Sequence, residues 1–193
     1  SRQIFSMSPS GKVTGKIVPK GLPGSKTVMA RSFRLSGKQL YLLDIFSGRV
    51  LVLNLNGDYQ RQLPFPEGYR FVSDLTISPQ GTLYLLDSVA GSIYRANSGA
   101  AEFTLLSSGL KEYLNFPTSL ATDAKGELYL SDQYGSGLVL IGRDGSFQGR
   151  KFGMGWDDGQ LLYPSQLCIN PQGTLVIADR SNSRVQVFNI LEE

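Results

Sequence analysis

The sequence contains no histidine and only one cysteine, Cys168. The absence of histidine excludes imidazole acid–base catalysis, Ser-His-Asp and Cys-His nucleophilic sites, and histidine-ligated zinc. A lone cysteine cannot form a disulfide within the chain, so cysteine usage does not indicate a cellular compartment. Enzyme mechanisms that depend on histidine are therefore excluded for this chain.

Long hydrophobic runs and helical periodicity are also missing. No run approaches the roughly 18 apolar residues of a membrane-spanning helix, and the N-terminal SRQIFSMSPS lacks the apolar segment of a signal peptide. No helix-length stretch repeats apolar residues at spacings of three and four. With 22 Gly, 9 Pro and 41% apolar residues, the 193 residues predict one all-β domain with a substantial core.

Acidic residues are absent from the first 43 positions, which carry eight Lys/Arg. The remaining chain carries 11 Lys/Arg and 16 Asp/Glu, so the net charge of +3 hides an asymmetry. The basic segment is either a face for an anionic partner or a solvated strand surface. Its loose spacing favours the solvated surface.

One pattern occurs four times, as SGKQLYLLD (36–44), PQGTLYLLD (79–87), AKGELYLSD (124–132) and PQGTLVIAD (171–179). The aspartates that close these segments are 43, 45 and 47 residues apart. This spacing indicates a supersecondary unit repeated four times with insertions in its connections. The closing aspartates are Asp44, Asp87, Asp132 and Asp179.

Each repeat predicts four antiparallel strands, which we name a, b, c and d. Residues 78–81 and 170–173 have Ser or Asn, then Pro, then Gly at the fourth position, which is the chemistry of a type I turn between strands a and b. Strand b is apolar at nearly every position, so both of its faces should be covered. Four-stranded sheets stacked face to face around an axis form a β-propeller, which is the predicted fold.

The segment FGMGWDDGQLLYPSQLCINPQGTLVIADRSNSRVQVFNI (152–190) resembles the NHL repeat. It has a Gly-rich approach, a Pro before strand a, a Gly turn, an Asp at the end of strand b and an Asn before RVQVF. The resemblance implies one NHL-type propeller domain over 1–193. Its predicted parts are a partial blade (1–26), repeats at 27–70, 71–116 and 117–163, and an incomplete repeat at 164–193.

The N-terminal segment IFSMSPSGKV (4–13) aligns with VLVLNLNGDY (50–59), so it predicts strands c and d of a blade without a and b. Two interpretations follow. In one, strand d completes the last blade and closes a four-bladed ring. In the other, the chain is part of a longer propeller, with the six blades usual for NHL domains. Starting and stopping inside blades favours the second interpretation.

Carboxylates are the remaining candidates for site chemistry. The four closing aspartates are interpreted as structural, each accepting backbone N–H groups from the turn that follows. Asp157 and Asp158 are weak candidates for a Ca²⁺ site, since their spacing does not match an EF-hand loop. No cofactor is expected, and Cys168 is predicted to be a buried, inert thiol on strand a.

Aromatic residues and an arginine recur in the connections at one end of the predicted blades. We predict a partner-binding loop face there, because such residues dominate protein-binding hot spots. The alternative is that they only cap the blades. The predicted residues are Phe46, Tyr69, Tyr113, Tyr134, Trp156 and Arg180.

The leading functional hypothesis is a non-enzymatic module that binds another protein in an extracytoplasmic or cell-surface bacterial assembly. Self-association through open strand edges is a further expectation. The alternatives are a metal-dependent, lactonase-like hydrolase and a single-stranded-RNA-binding NHL domain. The modest net charge disfavours nucleic acid.

Overall fold

The structure, a computed structural model, describes residues 4–190 and is built almost entirely of antiparallel strands. Two short 3₁₀ turns cover Leu110–Glu112 and Arg180–Asn182. The strands are β1 (Ile4–Met7), β2 (Val13–Ile17), β3 (Ala30–Ser36), β4 (Gln39–Asp44), β5 (Arg49–Asn54), β6 (Tyr59–Pro64), β7 (Val72–Ile77), β8 (Leu83–Asp87), β9 (Ser92–Ala96), β10 (Thr104–Ser107), β11 (Pro117–Thr122), β12 (Leu128–Asp132), β13 (Gly137–Ile141), β14 (Phe147–Lys151), β15 (Gly153–Met154), β16 (Gln160–Leu161), β17 (Gln166–Ile169), β18 (Thr174–Asp179) and β19 (Arg184–Asn189).

The strands form the predicted blades. Blade 1 is β3–β6, blade 2 is β7–β10, blade 3 is β11–β14, and blade 4 is the three-stranded sheet β17–β19. Strands β1 and β2 pair as a separate hairpin, which corresponds to the predicted partial blade. This all-β, β-propeller architecture confirms the fold predicted from the repeats. The parallel pair β15–β16, inside the connection between blades 3 and 4, was not predicted.

Turn chemistry explains where strands a and b meet. The Gly81 N–H donates to the Ser78 carbonyl at 2.9 Å, and the Gly173 N–H donates to the Asn170 carbonyl at 3.0 Å. Gly81 has φ = 83°, a left-handed conformation that costs glycine little and other residues more. These bonds confirm the two turns predicted from the Pro-Gln-Gly segments.

Contacts divide the chain into two compact units. Unit 1 holds the hairpin and blade 1, within residues 4–65 together with 101–103. Unit 2 holds blades 2, 3 and 4, within residues 66–100 and 104–190. The prediction of a single domain over residues 1–193 stays a prediction.

In unit 1 the hairpin covers one face of blade 1. Ile4 is buried in a cluster with Leu40 and Leu42 of β4 and Leu51 and Leu53 of β5. A two-stranded half-blade can therefore pack against a complete blade in this chain.

In unit 2 successive blades bury one another's apolar faces. Tyr84, Leu86 and Ile93 of blade 2 pack against a face of blade 3 that includes Leu130 and Val139. The opposite face of blade 3 packs against blade 4 through a second cluster of buried residues. That cluster contains Ala121, Tyr129, Leu138, Leu161, Leu167, Leu175 and Ile177.

One correction concerns the edge of this arrangement. Cys168 was predicted to be buried, but it is exposed, because no other blade of unit 2 covers the outer face of blade 4. Among the described residues, no helix is long and apolar enough to cross a membrane.

Candidate functional site

The closing aspartates organise the loops at one end of each blade. The Asp87 Oδ1 atom accepts N–H groups from Val89 and Ala90 in the following turn, at 3.1 and 2.8 Å. The same carboxylate accepts N–H groups from Arg70 and Phe71 in the preceding loop. Each aspartate therefore ties the loop that enters a blade to the end of strand b, which the sequence did not predict.

At the other three aspartates, an arginine side chain donates in place of some of the backbone N–H groups. Asp44, Asp132 and Asp179 are almost fully buried. A buried carboxylate needs hydrogen bonds or an opposite charge to stay ionised. The pairs are Arg49 Nε to Asp44 Oδ2 at 3.1 Å, Arg150 Nη1 to Asp132 Oδ2 at 2.8 Å, and Arg184 Nε to Asp179 Oδ2 at 2.8 Å.

Asp179 has the densest set of donors. Its burial alone would raise the pKa, but hydrogen bonds from the Leu162 N–H and from Asn182, Arg184 and Gln186 outweigh burial and lower it. The Gln186 Nε2 donates to Asp179 Oδ2 at 3.0 Å. Asp179 is therefore a structural anion rather than an acid–base group.

Three aromatic rings lie side by side above blades 3 and 4 in unit 2. Phe116 stacks on Tyr134 with ring centroids 5.4 Å apart, and Tyr134 meets Tyr163 edge-on at 6.2 Å. Tyr134 is 52% exposed and Tyr163 is 40% exposed. We call these three residues the aromatic row.

Tyr163 is held in an unusual backbone conformation. Its φ is 48°, in the left-handed region that side chains other than glycine rarely adopt. Its N–H donates to Oγ of the fully buried Ser136 at 3.2 Å. This bond joins the loop before blade 4 to the turn that carries Tyr134.

A cavity of about 360 Å³ opens beside the row. Phe116 belongs to both features, so the cavity continues the aromatic surface. Its size suits one or two side chains rather than a large ligand. It is lined by Ser88, Val89, Gly91, Lys111, Leu114, Asn115, Phe116 and Pro117.

The residues predicted for the loop face belong to both units. Phe46 is exposed in unit 1, while the other five lie in unit 2. Trp156 is 75% exposed, the most of any large apolar side chain described. Tyr113 stacks instead on Phe147 of β14, with centroids 4.0 Å apart. Tyr69 is 42% exposed, and Arg180 opens a 3₁₀ turn on the surface.

The weak metal candidates, Asp157 and Asp158, both contact an arginine. Asp158 is fully exposed and lies 3.4 Å from Arg184 Nη1, and the Asp157 carbonyl accepts from Arg184 Nη2 at 2.7 Å. The positively charged Arg184 would compete with a metal cation for these oxygen atoms. Within residues 4–190, no three His, Cys, Asp or Glu side chains group closely enough to hold a metal ion.

Phe116 was missed by the sequence prediction, although the repeat contains its signal. Phe71, Phe116 and Tyr163 each stand 16 residues before a closing aspartate, at the entry to strand a. An aromatic residue at this position recurs in three of the four repeats. The recurrence was visible in the sequence, whereas contact with Tyr134 depends on the loop paths.

Comparison with known proteins agrees with the architecture. Residues 161–188 match the NHL repeat. A stretch of 52 residues is 35% identical to Protein lin-41 of Caenorhabditis elegans, covering 27% of this chain and 4% of that protein.

Two solved structures are similar in fold. Virginiamycin B lyase from Staphylococcus aureus has a TM-score of 0.65 at 12% identity, over 99% of this chain and 64% of that chain. Regucalcin, a calcium-binding protein from Agrobacterium tumefaciens, has a TM-score of 0.57 at 14% identity, over 77% of this chain and 52% of that chain. This chain thus spans less than two thirds of the length of each. The chain therefore has a β-propeller fold and contains an NHL repeat at residues 161–188.

Proposed function

We propose that this chain is a non-enzymatic module that binds another protein through the loop surface of unit 2. The observation that carries the proposal is the aromatic row, in which the half-exposed ring of Tyr134 is held between Phe116 and Tyr163. Exposed aromatic rings with fixed positions supply contact area at low entropic cost. The left-handed backbone at Tyr163 is a local strain of the kind that functional surfaces retain.

The adjoining cavity indicates the chemistry of the partner. Leu114 and Phe116 give it an apolar lining, and Lys111 adds a cation to it. A partner segment that places an apolar side chain in the cavity and an acidic residue beside Lys111 satisfies both features. We infer a peptide or loop of acidic and apolar character as the ligand.

Site-specific photocrosslinking tests this proposal. A photoreactive phenylalanine analogue at position 134 should form adducts with a second polypeptide in cells of the source organism. The same analogue at position 105 is the matched control, since Leu105 is 55% exposed on β10. Adducts specific to position 134 that diminish in a Tyr163→Ala background support the proposal. Equal adducts at both positions, or none at 134, overturn it.

An enzyme remains the second candidate, because the fold resembles that of virginiamycin B lyase. At 12% identity the similarity concerns the fold alone. The purified protein should leave virginiamycin B intact over prolonged incubation, as followed by mass spectrometry. Turnover that survives Tyr134→Ala would replace the binding proposal with an enzymatic one.

The predicted extracytoplasmic or cell-surface location belongs to the same proposal. Fractionation of the source cells tests it, with the protein expected outside the cytoplasm.

A further inference from the structure

The outer face of blade 4 repeats an interface that is buried twice elsewhere in unit 2. Cα pairing places Cys168, Val176 and Val187 in one row across the sheet, and Gln166, Ala178 and Val185 in the next. Directly paired residues project to the same face of a sheet. These six residues therefore share one face, apolar except for Gln166, which we call the open face.

The register positions of Val176, Ala178 and Val185 are covered in blades 2 and 3. Tyr84, Leu86 and Ile93 of blade 2 pack against blade 3, and Tyr129 and Leu138 of blade 3 pack against blade 4. All five are between 0% and 6% exposed. In contrast, Val185 is 63% exposed, and Val187 on the same face is 62% exposed.

Burial along the second strand of each blade shows the same difference. Every residue of β8 and β12 is buried. In β18, buried residues alternate with half-buried ones. The open face thus has the largely apolar composition of a covered sheet face, but in this structure it is exposed.

The chain also carries an exposed face of the complementary kind. The hairpin packs Ile4 against blade 1, while Phe5 and Met7 on the opposite side are 50% and 59% exposed. Met7 pairs with Val13, which is 55% exposed. In the repeat alignment, Phe5 and Met7 correspond to Leu51 and Leu53, which are fully buried where the hairpin covers blade 1. We call this side the hairpin face.

Charge favours contact between unit 1 of one molecule and unit 2 of another. Unit 1 contains ten Lys/Arg and three Asp/Glu, a net charge of +7, and unit 2 contains nine and thirteen, a net charge of −4. Opposite net charges accelerate and favour association.

We propose that the open face of blade 4 binds the hairpin face of a second copy of this chain, with Phe5 and Met7 packed against Val185 and Val187. This contact continues the stacking of blades across a molecular boundary. It is heterologous, since the two copies contribute different surfaces. It does not depend on the aromatic row, so it stands or falls independently of the proposed function.

Sedimentation velocity of the purified chain tests the proposal. The wild-type mass should rise above 21.1 kDa as the protein concentration increases, and added salt should oppose the rise. Val187→Glu should abolish association by blocking the open face, and Met7→Glu should do so by blocking the hairpin face. Leu105→Glu and Leu55→Glu, at exposed apolar positions outside both faces, are controls that should associate like the wild type.

Mixing the two blocked variants gives the sharpest result. Each retains one intact face, so an equimolar mixture should form a complex of twice the monomer mass although neither variant associates alone. A mixture that stays monomeric overturns the proposal. A wild type that is monomeric at every concentration tested also overturns it. Circular dichroism of each variant verifies folding.

Discussion

A buried carboxylate at the end of strand b holds the loop that enters each blade. Asp179 accepts the Leu162 N–H at 2.7 Å from the preceding loop and the Arg184 Nε–H at 2.8 Å from strand c. Desolvation of the carboxylate is costly, and these donors offset that cost. Removing the carboxylate leaves the donors without their acceptor.

Asp179→Ala should lower the free energy of unfolding by about 3 kcal/mol, since a buried anion and several hydrogen bonds are lost together. Asp158→Ala is the matched control, because Asp158 contacts the same Arg184 at 3.4 Å but is fully exposed. The control should cause no measurable change. Urea unfolding of both variants measures the difference, and equal losses would contradict the structural role of Asp179.

The depressed pKa of Asp179 predicts the direction of the pH dependence. Its folded pKa lies below its ordinary value of 3.8, so the carboxylate contributes its full stability above pH 3.8. That contribution is lost as the pH falls through the folded pKa. Stability in urea, measured from neutral pH downward, should therefore decline below pH 3.8.

Asp179→Asn should decline less steeply than the wild type in the same series. Asp158→Asn is the comparison, because the Asp158 carboxylate is fully exposed. The stability of this comparison variant should decline with falling pH as steeply as that of the wild type. If the stability of Asp179→Asn fell with decreasing pH as steeply as that of the wild type, other carboxylates would be the cause of the acid sensitivity.

At the scale of the blade, the same carboxylate site is built in different ways. In blades 1 and 4 the arginine is the first residue of strand c, as Arg49 and Arg184. Blade 3 has Gly137 at that position, and Arg150 reaches Asp132 from strand d instead. The absence of a side chain at Gly137 provides the space for this arginine.

Gly137→Ala should therefore destabilise unit 2. An added Cβ atom would lie 2.7 Å from Arg150 Nη2 and 2.9 Å from its Nε. Displacing the guanidinium weakens a charge-assisted bond to buried Asp132, at a cost of about 2 kcal/mol. Thermal unfolding measures the loss.

Gly153→Ala is the control for this substitution, because nothing lies within 4 Å of its added Cβ atom. A second check is non-additivity. In an Arg150→Ala background, Gly137→Ala should cost little, since the displaced group is already gone. If the stability losses of the two substitutions simply added, the alanine at position 137 would act through a contact other than Arg150.

At the scale of the whole molecule, the question of a metal separates the two functional classes. Regucalcin, which is similar in fold, is a calcium-binding protein. In this chain, residues 4–190 bring no three acidic or other metal-ligating side chains together.

Millimolar Ca²⁺ should leave the melting temperature unchanged relative to EDTA. A ligand that binds only the folded state would raise it by mass action. Mg²⁺ at the same ionic strength is the control for screening of surface charge. A Ca²⁺-specific rise would contradict the prediction and would point to a site that the described residues do not show.

Much of the fold was predictable because its signals are local. The Pro-Gln-Gly turns, the apolar b strands and the spacing of the closing aspartates indicated each blade before any contact was known. The contacts of the predicted loop surface were not visible in the sequence. Tyr113 stacks on Phe147, and Phe116 joins Tyr134, because loops of irregular length place residues that lie far apart in sequence.

The sequence by itself determined the blades, since turn chemistry and strand pattern act over a few neighbouring residues. It also excluded histidine chemistry by composition. Only the tertiary structure decided that each closing aspartate holds the loop before its blade, that the aromatic row forms, and that Cys168 is exposed on an open face. These features depend on which surfaces meet across blades, and stacking surfaces is a property of the folded chain rather than of any segment.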